Sequence, residues 1–406
     1  MIRKIIIFLI YFATAGAFVN IGNWSDILYP VILLLVFIAL LFSAKKIQLT
    51  VASMGYQFLF FFTFTSLILV REESFTFGSN LQIIAKFFIV FLLSVYISTF
   101  YPTKLDFYSD MVRVFEGLLK FSFLTFALTN ALPFLMQNIG PRTPIGDQYL
   151  TFFGVAYGRA FDYAKYRFYR NQSFFWEPGV FGVLMICCYI FKTIYLQNKE
   201  KKWIYYIGVF STLSMGAIII FLAFNGFKKV LSGSSRELRA RLPIISILVG
   251  LPLLLLIDLA NFYSSDMETA VSLLFHRNVS NDKSLNTRSA DLYYGYLAAK
   301  DEIVAGHGED YKDFYRITLN KLNTTKAWYN GGITNGVIDL LYCYGIIYTI
   351  LFLIMLYKAS RGFATLGRYT LLVFFTFMGL LMVEPLQYSL LFMLIITYRQ
   401  GKKIST

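Results

Sequence analysis

Residues 203–227 read WIYYIGVFSTLSMGAIIIFLAFNGF, and the number of times this run crosses a membrane decides the fold. It is long enough for one crossing, which takes roughly 17–25 apolar residues. Ser211-Thr212-Leu213-Ser214 lies at its middle and offers a turn between two short helices instead. The flanking charge arbitrates. Lys199, Lys201 and Lys202 precede the run, and Lys228, Lys229, Arg236, Arg239 and Arg241 follow it. Cations collect on the cytoplasmic side of membrane proteins. A single crossing would separate the two groups, whereas two short helices keep them together. The charge pattern therefore predicts an even number of crossings.

The rest of the chain follows from that parity. Apolar runs at 5–21, 27–44, 50–70, 81–101 and 118–137 predict five spans, and 174–196 predicts a sixth. Further spans are expected at 242–260 and 334–357. The run 369–398 is broken by Glu384-Pro385 into a short pair. With the N-terminus inside, the remaining inner groups are Lys45/Lys46, Lys104/Arg113/Lys120, Lys358/Arg361/Arg368 and Arg399/Lys402/Lys403. The expectation is an all-α polytopic membrane protein of about twelve segments with both termini cytoplasmic. Five regions result: N-terminal helices at 1–137, a basic outer loop at 138–173, central helices at 174–260, a large outer loop at 261–333, and C-terminal helices at 334–406.

Composition agrees with lipid as the main solvent. Apolar residues make up 57% of the chain and charged residues 15%, too much apolar surface for a soluble domain to cover. The net charge of +14 reads as cytoplasmic loops and headgroup contact. Nucleic acid as a partner is not expected, since no basic helical face or aromatic platform accompanies the charge. Cys187, Cys188 and Cys343 all lie in apolar runs, which argues against a disulfide framework and a zinc site. Met1 to Asn20 resembles a signal peptide but leads into further spans, so it reads as an uncleaved first helix. No internal repeat is visible, which disfavours an inverted-repeat transporter.

The chemistry-bearing residues sit around the two polar loops. The first carries Arg142, Arg159, Lys165, Arg167 and Arg170 against Asp147 and Asp162. Clustered arginines suit a phosphate, whose oxygens their planar fork binds in pairs; headgroup contact is the alternative. Next comes Arg170-Asn-Gln-Ser-Phe-Phe-Trp-Glu177-Pro178-Gly179. Glu-Pro is a good helix start, yet three aromatics crowd this carboxylate, and apolar surroundings raise a carboxylate toward general acid–base use. The large loop holds nine Asp/Glu, eight Lys/Arg and both histidines. His307 stands between Gly306 and Gly308, which permit close approach to a ligand; a solvated side chain is the plainer reading. Asn335 and Asp339 share a helical face; a helix-packing hydrogen bond is the plainer role for Asp339. Glu384 marks a carboxylate at an intramembrane helix break, a functional suspect by position; a capped turn is the equal alternative.

These features together resemble the O-antigen polymerase and O-antigen ligase superfamily of bacterial envelope enzymes. Arg170 leading to Glu177-Pro178-Gly179 resembles the Arg…Glu-Pro-Gly stretch of Wzy-type polymerases. Leu213-Ser214-Met215-Gly216 is similar to the family's short-helix segment. Arg288 with Gly306-His307-Gly308 resembles the Arg…Gly-x-Gly run of its large loop. Thr334-Asn335, nine residues, Gly345, two residues, Tyr348 is similar to the ligase pattern. Thr334 stands where a ligase carries its histidine, so the resemblance favours a polymerase and leaves the base unassigned.

The resemblance implies a GT-C-like fold with a partly helical periplasmic loop, in the bacterial inner membrane. It implies a glycosyltransferase that moves a growing glycan from undecaprenyl pyrophosphate onto a lipid-linked repeat unit. Arg170 and Arg288 are the expected pyrophosphate ligands, with Arg142, Arg159 and Arg167 in support. Glu177 and His307 are rival bases. Asn335 and Asp339 are expected to support the site, and Trp176, Tyr293, Tyr294, Tyr296 and Trp328 to stack on sugars. No metal or cofactor is expected. The implied partners are lipid-linked glycans, membrane lipids and a chain-length regulator protein. The alternatives are a ligase, or a flippase for lipid-linked oligosaccharide.

Overall fold

The computed structural model describes residues 2–15, 25–43, 48–70, 77–137, 150–152, 156–158, 160–163, 166–175, 177–198, 200–232, 295–308, 333, 335–363, 367–398 and 403–405. The described chain is mostly helical. Its helices are α1 (Ile2–Ala15), α2 (Ser25–Leu41), α3 (Val51–Val70), α4 (Phe77–Phe100), α5 (Lys104–Ala131), α6 (Pro178–Ile190), α7 (Trp203–Ser211), α8 (Met215–Leu231), α9 (Gly336–Phe363), α10 (Thr370–Val383) and α11 (Leu390–Thr397). Short antiparallel ladders join Gln48–Thr50 to Lys403–Ser405, Met136–Gln137 to Leu150–Phe152 and on to Ala156–Gly158, and Ala160–Tyr163 to Tyr166–Tyr169.

Among the described residues, two helical stretches are long and apolar enough to cross a membrane: Pro178–Tyr195 and Gly336–Phe363. A third candidate is the pair Ile84–Phe100 and Lys104–Ala131, bent by 109°. Leu28–Leu41 and Gly367–Val383 are apolar but shorter. This is the architecture of a helical membrane protein, and it falls short of the twelve segments expected from the sequence. The expected span at 242–260 lies outside the described residues. Large apolar side chains such as Phe37, Phe42, Phe58, Phe62 and Leu124 point outward, as a lipid-facing surface requires.

Three departures from regular helix shape the interior. The run 203–227 divides at Thr212-Leu213-Ser214 into α7 and α8. The C-terminal run divides at Glu384–Ser389 into α10 and α11, because Pro385 cannot continue a helix. Helix α9 contains Gly345 at φ 73°, ψ −179°, a kink with non-helical backbone.

Helix α5 begins earlier than the hydropathy suggests. Thr103 and Asp106 form a reciprocal capping box, which satisfies two orphan donors at a helix start. The cations Lys104, Arg113 and Lys120 therefore ride on α5 and not in a connecting loop. Lys104 is buried. Its Nζ lies 4.5 Å from the Phe363 ring centroid and 5.3 Å from that of Tyr108. Tyr195 and Tyr398 stand at 5.8 and 6.0 Å. This aromatic cage ties the start of α5 to the ends of α9 and α11. Lower on α5, Glu116 pairs with Lys192, which lies in the single π-helical turn Phe191–Tyr195 that continues α6.

Candidate functional site

The start of α6 is built on Glu177-Pro178-Gly179. Glu177 occupies the N-cap position with extended backbone, φ −141° and ψ 148°, and Pro178 follows at the first helical position. The Glu177 side chain makes no capping bond. The residue is partly buried, and its side chain does not take the capping role that Glu-Pro suggested. Gly179 is required by packing. A Cβ at this position would overlap Oε1 of Glu384 and lie 3.4 Å from Ser214 Oγ. Three interruptions therefore meet at one point: the start of α6, the α7–α8 break at Ser214, and the α10–α11 break at Glu384. Glu384 is 1% exposed. A carboxylate so deeply buried needs compensation, and the α6 N-terminus supplies a positive dipole end beside it.

Arg170 is held from both sides. Asn130 on α5 accepts from the Tyr169 N–H at 2.9 Å and donates to the Tyr169 carbonyl at 3.0 Å. The Arg170 guanidinium then reaches the α7–α8 break, with Nε donating to the Thr212 carbonyl at 2.9 Å and one Nη to the Leu213 carbonyl at 2.8 Å. Asn171 adds Nδ2 to Ser211 Oγ at 2.9 Å and its backbone N–H to the Ser211 carbonyl at 3.0 Å. Arginine thus closes the carbonyl end of a nine-residue helix, where a cation is favoured. Ser173 and Leu213 on the two clamped segments both have φ of 50°. Left-handed backbone in residues other than glycine is strained and clusters at functional sites.

The start of α9 forms the second wall. Asn335 caps it: Oδ1 accepts from the Val337 and Ile338 N–H groups at 3.1 and 3.2 Å. One turn on, Asp339 is 6% exposed and its Oδ2 accepts from Gln387 Nε2 at 2.6 Å. Gly336 repeats the device seen at Gly179, for a Cβ there would overlap Gln387 Oε1. The α10–α11 break therefore touches both walls, α6 through Glu384 and α9 through Gln387.

His307 docks against the same helix, farther along. Its backbone N–H donates to the Tyr342 carbonyl at 2.7 Å, the Gly308 N–H donates to Cys343 at 2.9 Å, and Ile346 donates back to Ile303 at 2.7 Å. Gly306 and Gly308 have φ of 69° and 75°. The kink at Gly345 is where the loop backbone enters, since a Cβ on Gly345 would overlap the Val304 carbonyl. The imidazole stacks on Tyr342 with centroids 4.6 Å apart and planes within 1°. Its Nδ1 is buried without a hydrogen-bond partner among the described residues, an arrangement that asks for an explanation.

Of the residues singled out in the sequence, Arg170 holds the α7–α8 break, and Glu177 stands two residues before Gly179, where Ser214 and Glu384 of the α7–α8 and α10–α11 breaks meet α6. Asn335 and Asp339 stand one turn apart at the start of α9, Asp339 bonded to Gln387 of the α10–α11 break, and His307 lies against the α9 kink. Arg167 sits on the short strand Tyr166–Tyr169. Arg142, Arg159, Trp176, Arg288, Tyr293, Tyr294, Trp328 and Thr334 lie outside the described residues, as do half of the outer-loop division 138–173 and most of 261–333. Gln387 carried no sequence signal, being neutral and in no motif. Glu384 was visible as an intramembrane carboxylate beside proline. Among the described residues no group of three His, Cys, Asp or Glu gathers as metal ligands.

Comparison with protein-family models, with curated proteins and with solved structures returns no match.

Proposed function

We propose that the chain is an inner-membrane glycosyltransferase that polymerises undecaprenyl-pyrophosphate-linked repeat units into O-antigen or a related surface polysaccharide. In this reading it is GT-C-like, with about twelve segments and its site facing the periplasm. The observation that carries it is the convergence of three helix interruptions at Gly179, two residues beyond Glu177 and beside the α7–α8 break that Arg170 clamps.

The reaction asks for two things. The non-reducing-end hydroxyl of the acceptor attacks the anomeric carbon of the donor glycan. The bond from that carbon to the pyrophosphate oxygen breaks, and undecaprenyl pyrophosphate leaves with the electron pair. A base takes the hydroxyl proton, and fixed cations stabilise the leaving group. Glu177, whose carboxylate is not spent on capping, and His307, with its unpartnered buried Nδ1, are the two base candidates. Arg170 acts as an orienting clamp whose charge stands beside the α7–α8 break. Arg288, with Arg142, Arg159 and Arg167 in support, completes the cationic set for the pyrophosphate. Aromatic residues, including Trp176 and Tyr294, stack on sugar faces.

The test supplies purified protein in lipid nanodiscs with lipid-pyrophosphate-linked repeat units. A ladder of longer lipid-linked products is expected. Binding without elongation would reject the reading, and translocation without elongation would assign a transporter instead.

A further inference from the structure

We propose that Glu384 and Gln387 are positioning residues: the break between α10 and α11 sets the spacing of the Glu177 end of α6 against the Asn335–Asp339 end of α9, and so aligns donor with acceptor. The inference rests on the transferase reading above.

The break is rigid in itself. Pro385 stops α10, and the Leu386 N–H closes on the Glu384 carbonyl at 2.8 Å. Ser389 donates through its backbone N–H at 3.0 Å and through Oγ at 2.7 Å to the Leu386 carbonyl, and its Oγ caps α11 at Phe392. From this braced turn two side chains run to opposite walls. Each ends where a glycine leaves room, Glu384 at Gly179 and Gln387 at Gly336. Both are buried, at 1% and 2% exposure. Burying a carboxylate and an amide costs free energy that apolar side chains of similar size would not incur. What the polar pair adds is direction: a hydrogen bond of 2.6 Å from Gln387 to Asp339 fixes orientation where dispersion contacts only fill space. Small misplacements of reacting groups lower rates steeply. Neither residue lies on the two polar loops, so they act on the chemistry through Glu177, Asn335 and Asp339.

The experiment pairs distance with kinetics. For the distance measurement alone, with kinetics taken on protein lacking the labelling substitutions, spin labels go on Met215→Cys, beside the α6 start, and Tyr296→Cys, beside the α9 start. Both sites are exposed, at 55% and 50%, and the native cysteines are buried, so labelling is selective. The tested variants are Glu384→Gln, Gln387→Glu, the volume-keeping Gln387→Met, and the swap Asp339→Asn with Gln387→Glu. The inter-label distance distribution is expected to broaden in Gln387→Glu and Gln387→Met and to return in the swap, where amide and carboxylate exchange places. For folded variants, kcat for elongation falls about tenfold or more while KM for the repeat unit moves by less than about threefold, the mark of an interaction that aligns more than it binds. An unchanged distance distribution in the folded single variants overturns the proposal. So does an unchanged kcat in a wild-type background that elongates. A wild type that binds repeat units without elongating them rejects the transferase reading alone, and the distances still decide the positioning role.

Discussion

The Glu384 carboxylate occupies the space that a side chain at Gly179 would fill, so the glycine of Glu177-Pro178-Gly179 and the acid of Glu384-Pro385 are one feature seen from two helices. The packing there is complementary to within a single carbon atom. Gly179→Ala should lower the melting temperature in detergent through an overpacking cost of about 1–3 kcal/mol. Adding Glu384→Asp, one methylene shorter, should recover most of it. An unshifted melt for Gly179→Ala would show that the carboxylate yields freely.

Gly345 is a harsher site. It combines positive φ with a backbone carbonyl in the way of any Cβ, so Gly345→Ala should fail to give a monodisperse protein, or give one destabilised by more than about 3 kcal/mol. Gly226 on α8 has open space around it and serves as the control. Gly226→Ala should be neutral or stabilising by up to about 1 kcal/mol. Equal melts for the two variants would contradict the kink.

Arg170 bonds two successive carbonyls with different nitrogens of one planar group. A lysine cannot span both. Arg170→Lys should therefore keep the charge but lose the clamp, exposing the Thr212–Ser214 break to limited proteolysis and slowing elongation. A cleavage pattern identical to wild type would remove the clamp from the account.

Lys192 and Glu116 form an ion pair whose side chains are 4% and 18% exposed. Removing one partner strands the other. Lys192→Met should cost about 3–5 kcal/mol, and the double variant with Glu116→Leu markedly less. Additive losses in a double-mutant cycle would mean that the two groups are energetically independent.

The base candidates separate by variant. Glu177→Gln keeps volume and removes proton acceptance; His307→Ala removes a ring stacked on Tyr342. Whichever abolishes elongation in a protein of unchanged melting temperature carries the proton. Full activity in both would place the base elsewhere.

Much of this was readable before the structure, and for a physical reason. Charge parity across 203–227 predicted the division at Ser211–Ser214, and Pro385 predicted the second break. Both are local signals. The start of α5 was misplaced because Lys104, Arg113 and Lys120 read as loop cations; the Thr103–Asp106 capping box was there to be found. The Gln387–Asp339 bond was readable from one end only: a helix-packing hydrogen bond is the plain role for Asp339, but its partner is a neutral amide 48 positions away with no pattern to announce it. The clamp by Arg170 failed to show for a related reason: the carbonyls it meets carry no sequence identity.

Helix α9 has consequences for assembly. At its kink, the Tyr342 and Cys343 carbonyls and the Ile346 N–H are satisfied by His307, Gly308 and Ile303, from a segment synthesised earlier in the chain. In hydrocarbon an unsatisfied backbone group costs several kcal/mol. The first turns of α9 therefore cannot settle in the bilayer as a finished helix on their own. They must wait for residues 303–308 to dock, so that stretch of the large polar loop serves as a template on which α9 completes its folding.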